Sequence, residues 1–104
     1  MIKILLIILC ALLPYFVYSQ QELLPVFKNG KWAAVDTNLN MVTDYHYSDL
    51  FIIKDKFICA KEKGNFGLLD KKGNLLLPFE YEKIRDALGP FFIVRKNGLW
   101  GIKD

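Results

Sequence analysis

An all-β fold of antiparallel hairpin and meander repeats is what this 104-residue sequence predicts, and three observations carry the prediction. A shift of 34 residues lays the chain over itself without a gap, from Trp32 to Phe66 to Trp100. Turn dipeptides ending in glycine recur at the same place in every copy. No stretch of the copies sustains the 3.6-residue apolar period of a helix.

The overlay is specific. Lys31-Trp32-Ala33-Ala34-Val35-Asp36 falls on Asn65-Phe66-Gly67-Leu68-Leu69-Asp70, and that falls on Leu99-Trp100-Gly101-Ile102-Lys103-Asp104. Gly30, Gly64 and Gly98 coincide, as do Asn40 with Asn74, Tyr45 with Phe79, and Tyr47 with Tyr81. The chain reads as copies at about 23–56 and 57–90 with a partial third at 91–104. The positions that define the repeat are Trp32, Phe66 and Trp100, then Gly67 and Gly101, then Asp36, Asp70 and Asp104.

Each element follows from local chemistry. Asn29-Gly30 is a two-residue hairpin signal, because both positions of a type I′ turn need positive φ. It sets Phe27 opposite Trp32. The turn after Asp36 has Leu39 where the second copy has a glycine. A bulky side chain resists positive φ, so this turn is expected to be built differently, with Asn38 or Asn40 in the left-handed position. Phe57–Glu62 is rich in β-favouring residues, and Lys63-Gly64 turns it back so that Lys61 faces Phe66. Asp70-Lys71-Lys72-Gly73-Asn74 suits a type I turn closed by a left-handed Gly73 with a bulge. Leu75–Leu77 forms a short strand. Pro78–Ile84 either continues it past a bend or makes a separate turn, and Ile84–Leu88 is compatible with one helical turn before Gly89-Pro90. Asn97-Gly98 then pairs Lys96 with Leu99, Arg95 with Trp100, Val94 with Gly101 and Ile93 with Ile102.

Opposite residues of a hairpin share a face. In the third copy one face carries Phe91, Ile93, Arg95, Trp100 and Ile102, and the other Phe92, Val94, Leu99 and Gly101. Both are largely apolar, so both are expected to be covered. Gly101 leaves a gap beside Val94, and Gly67 leaves one beside Ala60. A glycine inside a strand marks a bulge or a close approach by another group. Arg95 facing Trp100 and Lys61 facing Phe66 offer cation–π contacts.

These motifs resemble the tryptophan–glycine, or WG-repeat, proteins. The second copy carries the pattern through Phe66-Gly67-Leu68-Leu69-Asp70, Gly73, Pro78, Tyr81 and Ile84, with Phe66 in place of the Trp. The third carries it through Trp100-Gly101-Ile102 and Asp104. The first departs at Ala33, Leu39 and Asp44, which stand for Gly, Gly and Pro. The resemblance implies a bacterial, often exported, β-repeat scaffold. It brings no catalytic residues with it.

The first twenty residues, MIKILLIILCALLPYFVYSQ, follow a different logic. Lys3 gives a positive start and Ile4–Leu13 an apolar core; Val17 and Ser19 suit a signal-peptidase cut before Gln20. Residues 1–19 therefore read as a helical signal peptide, and 20–104 as the repeat domain of an exported protein of the periplasm, cell surface or medium. The apolar run is shorter than the roughly 20 residues that span a bilayer, so no membrane association is expected once it is cleaved. Leu9 is too bulky for the position before a lipidated Cys10. Losing Lys3 lowers the formal charge from +3 to about +2, which gives no basis for nucleic-acid binding. Cys59 is left without a disulfide partner, so the domain relies on packing or association.

The reactive side chains are few. His46 sits among Asp44, Ser48 and Asp49 on one segment, whereas a triad converges from separate elements. Its counterpart in the second copy is Glu80. Cys59 falls opposite Leu68, where a buried inert thiol is expected. Glu80 and Glu82 flank Tyr81 and, on one strand face, lie about 7 Å apart, a spacing related to that of glycosidase pairs; two solvated glutamates beside a buried Tyr is the plainer reading. Lys54/Lys56 and Lys71/Lys72 are read as solvated turn residues. One Cys and one His do not make a zinc set, and no cofactor is expected. The function expected is a non-catalytic scaffold for binding or structural interaction, its partner a protein or glycan, with self-association left open. The rival is a hydrolase using Glu80, Glu82 or His46, or a remnant of a longer array. Two arrangements of the last hairpin are expected: a cap with Trp100 buried on the second copy, or an exposed apolar edge.

Overall fold

A computed structural model describes residues 22–104. The signal-peptide reading falls on residues 1–19 and so lies outside the described residues. The described chain is all-β and antiparallel. Its strands are β1 (Leu23–Lys28), β2 (Lys31–Asp36), β3 (Asp49–Ile53), β4 (Phe57–Glu62), β5 (Asn65–Leu69), β6 (Leu75–Tyr81), β7 (Lys83–Asp86), β8 (Phe92–Lys96) and β9 (Leu99–Lys103). They form three separate sheets in chain order: β1-β2, β3-β4-β5-β6 and β7-β8-β9.

The glycine-ended turns set the registers. Asn97 and Gly98 have φ of 53° and 76°, as a type I′ turn requires. Lys96 then pairs with Leu99, Arg95 with Trp100, Val94 with Gly101 and Ile93 with Ile102. The same geometry at Asn29-Gly30 pairs Phe27 with Trp32, and at Lys63-Gly64 pairs Lys61 with Phe66.

The second and third sheets each borrow a strand from the copy before. β3 comes from the tail of the first copy and pairs with β4; β7 comes from the tail of the second and pairs with β8. This corrects the helical turn expected over Ile84–Leu88. Ile84 sits opposite Val94 and is buried, and pairing with the neighbouring copy gives residues 83–86 more than an isolated helical turn offers. β6 runs through Pro78 to Tyr81 at the sheet edge, the place a residue without an N–H is tolerated.

Two cores lie one repeat apart. Leu23 and Ala34 of the first sheet meet Leu50, Ile58, Ala60 and Leu69 of the middle one. Ile53, Cys59 and Leu68 of the middle sheet meet Ile84, Phe92 and Val94 of the third. The middle sheet is thus covered on both faces, which is why its strands read as apolar runs rather than alternating ones. Burying side chains such as Ile58 and Leu68 stabilises by roughly 1.5–3 kcal/mol each.

Three further expectations are overturned. Leu39 itself takes the left-handed position, at φ 66°, as Gly73 does at 88°. The two turns are alike: Leu39 N–H donates to Asp36 O and Gly73 N–H to Asp70 O, both 3.0 Å. The Asp36 carboxylate accepts from the amides of Asn38 and Asn40, and Asp70 from those of Lys72 and Asn74. That clamp holds the turn whatever residue follows, and the Leu39 side chain extends into solvent, 72% exposed. The third hairpin is covered on one face, not two: Phe92 and Val94 are buried while Trp100 and Ile102 are 49% and 70% exposed. Lys54 is not a solvated turn lysine. Its Nζ pairs with the Asp86 carboxylate, donates to Ala87 O at 2.7 Å and lies 5.2 Å from the Phe92 ring centre.

Candidate functional site

The repeat positions divide into those that join strands and those that fill gaps. Trp32 and Phe66 both lead from a hairpin into the next strand. Trp32 N–H donates to Tyr47 O at 2.8 Å, and Phe66 pairs with Tyr81 in the same relation. Trp100 has no such neighbour among the described residues; Arg85 and Arg95 lie 5.3 and 5.6 Å from its ring centre instead. Lys61 stands 5.5 Å over Phe66.

Gly67 is a site of close approach. The β5–β6 register runs from Phe66↔Tyr81 to Leu68↔Leu77. Pro78, Phe79 and Glu80 therefore lie opposite Gly67 alone. This bulge lays the Phe79 ring over the glycine, where an added Cβ would sit 2.7 Å from a ring carbon. Phe79 also stacks on Tyr47 at 5.8 Å, tying the middle sheet to the first. The sequence marked Gly67 as a gap; the bulge that fills it was hidden in the reading of Pro78–Ile84. At Gly101 an added Cβ meets only Val94 Cγ2, at 4.0 Å.

Asp70 shows what the aspartates of the pattern do. The backbone amide of Asn74 most of all holds its carboxyl below the ordinary value; desolvation, next in size, opposes it, and the Lys72 amide, the Asn74 side chain and the Lys72 charge add to the lowering. Asp36 has the same two amide donors, and Asp104 is exposed after β9.

The potential catalytic groups do not converge. His46 Nε2 lies 2.6 Å from Glu62 Oε1. Glu80 Oε1 lies 3.1 Å from Lys96 Nζ. Glu82 Oε1 accepts from Gly98 N–H at 2.9 Å and lies 3.5 Å from Arg95 Nε. These are equivalent places: position 46 becomes 80 and position 62 becomes 96 one repeat on, so the acid and the base have changed sides. The backbone beneath repeats too, with Ser48 N–H donating to Lys61 O and Glu82 N–H to Arg95 O. Cys59 is fully buried, and desolvation foremost, with the Asp49 charge second, pushes its thiol up to about 12. Such a thiol is neither nucleophile nor ligand at neutral pH. Among the described residues no group of three His, Cys, Asp or Glu side chains is placed to hold a metal.

A groove of about 360 Å³ runs between β3 and β7. Its apolar floor includes Phe51, Ile53, Phe66 and Ile84, and Lys83 and Arg85 stand on its rim beside the Lys54–Asp86 pair. Its one carboxylate, Asp86, is engaged by Lys54. Sequence reasoning missed the groove because its two walls come from strands one repeat apart.

Residues 66–100 match the family model of the WG containing repeat. No curated protein and no solved structure matches the chain.

Proposed function

We propose that this WG-repeat-containing protein is an exported, non-catalytic scaffold. Its two copies and partial third stack as 34-residue units, and their joints and open surfaces bind a protein or glycan partner. The observation that carries this reading is the exchange between His46···Glu62 and Glu80···Lys96. A place that accepts His-with-Glu in one repeat and Glu-with-Lys in the next needs opposite partners that tie a strand to its neighbour. It does not need a particular acid or base, as chemistry would. The buried thiol and the engagement of the groove's one carboxylate, Asp86, by Lys54 agree with it.

The test is a broad hydrolase substrate screen of wild type beside a His46→Ala, Glu80→Ala, Glu82→Ala triple variant. Background turnover from both is expected. Turnover by wild type that the triple variant loses would establish the hydrolase instead. Export is tested by N-terminal sequencing of the protein from expressing cells: a chain starting at Gln20 outside the cytoplasm is expected, and an intact Met1 start in the cytosol would sink that part.

A further inference from the structure

The two repeat joints share a backbone and differ in charge. Ser48 N–H donates to Lys61 O in the first and Glu82 N–H to Arg95 O in the second, so Ser48 and Glu82 stand at equivalent places, 34 residues apart. In the second joint the Glu82 carboxylate accepts from Gly98 N–H at 2.9 Å and lies 3.5 Å from Arg95 Nε. The first joint keeps the equivalent amide and base, as Gly64 and Lys61, and lacks the acid. Ser48 Oγ donates to Lys61 O at 3.3 Å instead.

The residues around that place widen the difference. Asn65 and Asn97 of the second joint correspond to Lys31 and Lys63 of the first. Lys31, Lys61 and Lys63 line one small cavity of about 130 Å³ together with His46, Ser48 and Glu62. None of the three lysines has an ion-pair partner among the described residues. Glu62, the one carboxylate of the lining, lies 2.6 Å from His46 Nε2. The corresponding residues of the second joint set Glu80 and Glu82 against Arg95 and Lys96, and their charges balance. In the first joint three lysines face one acid, which leaves two positive charges in excess when His46 is neutral.

We propose that the cavity at the first joint is a binding site for a phosphate monoester. Its oxygens take the place that the Glu82 carboxylate fills one repeat on, against the Lys61 ammonium and the Gly64 amide. A carboxylate ligand would supply one of the two missing negative charges. A phosphate monoester carries about 1.5–2 at pH 7 with three strong acceptor oxygens, and charge-assisted hydrogen bonds from lysines to such oxygens are among the strong ones. This rests on the binding-scaffold reading and names the chemical group by which a partner is held.

The probes are inorganic phosphate and glycerol phosphate, titrated into the isotope-labelled full chain at constant ionic strength and neutral pH. Saturable amide shifts confined to Ser48 and Lys61–Gly64 are expected from both. Lys31→Asn combined with Lys63→Asn installs the residues that later copies use at these places. It should weaken both probes by about tenfold or more. Ser48→Glu supplies the missing carboxylate from the chain itself and should weaken them as much, without lowering the melting temperature. Lys83→Asn with Lys103→Asn removes as many charges elsewhere and should change neither affinity. No saturable response, acetate binding as tightly as the phosphates, or an equal loss from the distant lysine pair would each overturn the proposal. Binding of inorganic phosphate without glycerol phosphate would restrict the site to the free ion and overturn the ester. The substrate screen is independent of all these outcomes, so the phosphates can fail while the non-catalytic reading stands.

Discussion

The β4–β5–β6 region and the β8–β9 hairpin share a pattern and differ in fate. In the first, Leu68 is 1% exposed and a ring sits against Gly67. In the second, Ile102 is 70% exposed and Gly101 faces open space. Both hairpins have the same register and the same left-handed turn. What separates them, among the described residues, is a further strand and a further sheet. The Trp-Gly pair is therefore half of a joint: it makes a receptive edge and face, and its contribution to stability depends on what is laid upon them.

Matched substitutions test this directly. Leu68→Ala should destabilise by about 3 kcal/mol, the cost of emptying a packed core site. Ile102→Ala should fall within roughly 0.5 kcal/mol of wild type, as for exposed positions. Urea denaturation monitored by tryptophan emission gives both, and equal losses would break the comparison. The glycines come next. Gly67→Ala forces the Phe79 ring aside and should cost about 1–3 kcal/mol, whereas Gly101→Ala should be close to neutral in the same assay.

Smaller effects separate the first copy from the second at the aspartate turn. Leu39→Gly relieves a left-handed leucine and should stabilise by about 0.5–1 kcal/mol, the gain offset in part by the freer unfolded chain. Gly73→Leu should destabilise, since that position has φ 88° and an added Cβ would lie 3.1 Å from Val42 O. Thermal melts of the two variants should move in opposite directions. The smallest effect is electrostatic. The folded-state carboxyl of Asp70 is held below its ordinary value, so its contribution is present above the unfolded value, near pH 4, and is lost as pH falls through the folded one. Asp70→Asn should flatten the part of the stability curve that lies below the unfolded value. An unchanged acid limb would show that the turn amides do not favour the charged form.

The three hairpins were legible because their information is local. Asn-Gly and Lys-Gly dictate a turn, the turn dictates a register, and Phe27↔Trp32, Lys61↔Phe66 and Arg95↔Trp100 follow without knowledge of anything distant. Elements that depend on another copy were not legible. β7 is a strand because β8 offers it an edge, a fact absent from the residues of Ile84–Leu88. Phe79 covers Gly67 through a bulge that neither strand announces alone. Lys54 was read as a solvated turn residue because Asp86 is 32 positions away. Leu39 failed for another reason: steric preference was weighed without the two amide bonds by which Asp36 fixes the loop. The β3–β7 groove exists only once two tails lie side by side.

The exchanged pair at the repeat joints also acts as an alignment key. Copies that resemble one another can stack out of order, the second-nearest taking the place of the nearest. Setting the tail of the first copy against the head of the third would bring His46 to Lys96, two bases, and would forgo both the His46–Glu62 and the Glu80–Lys96 pairs. Correct neighbours are paired across this joint and that wrong one is not, so the exchanged pairs favour stacking in chain order.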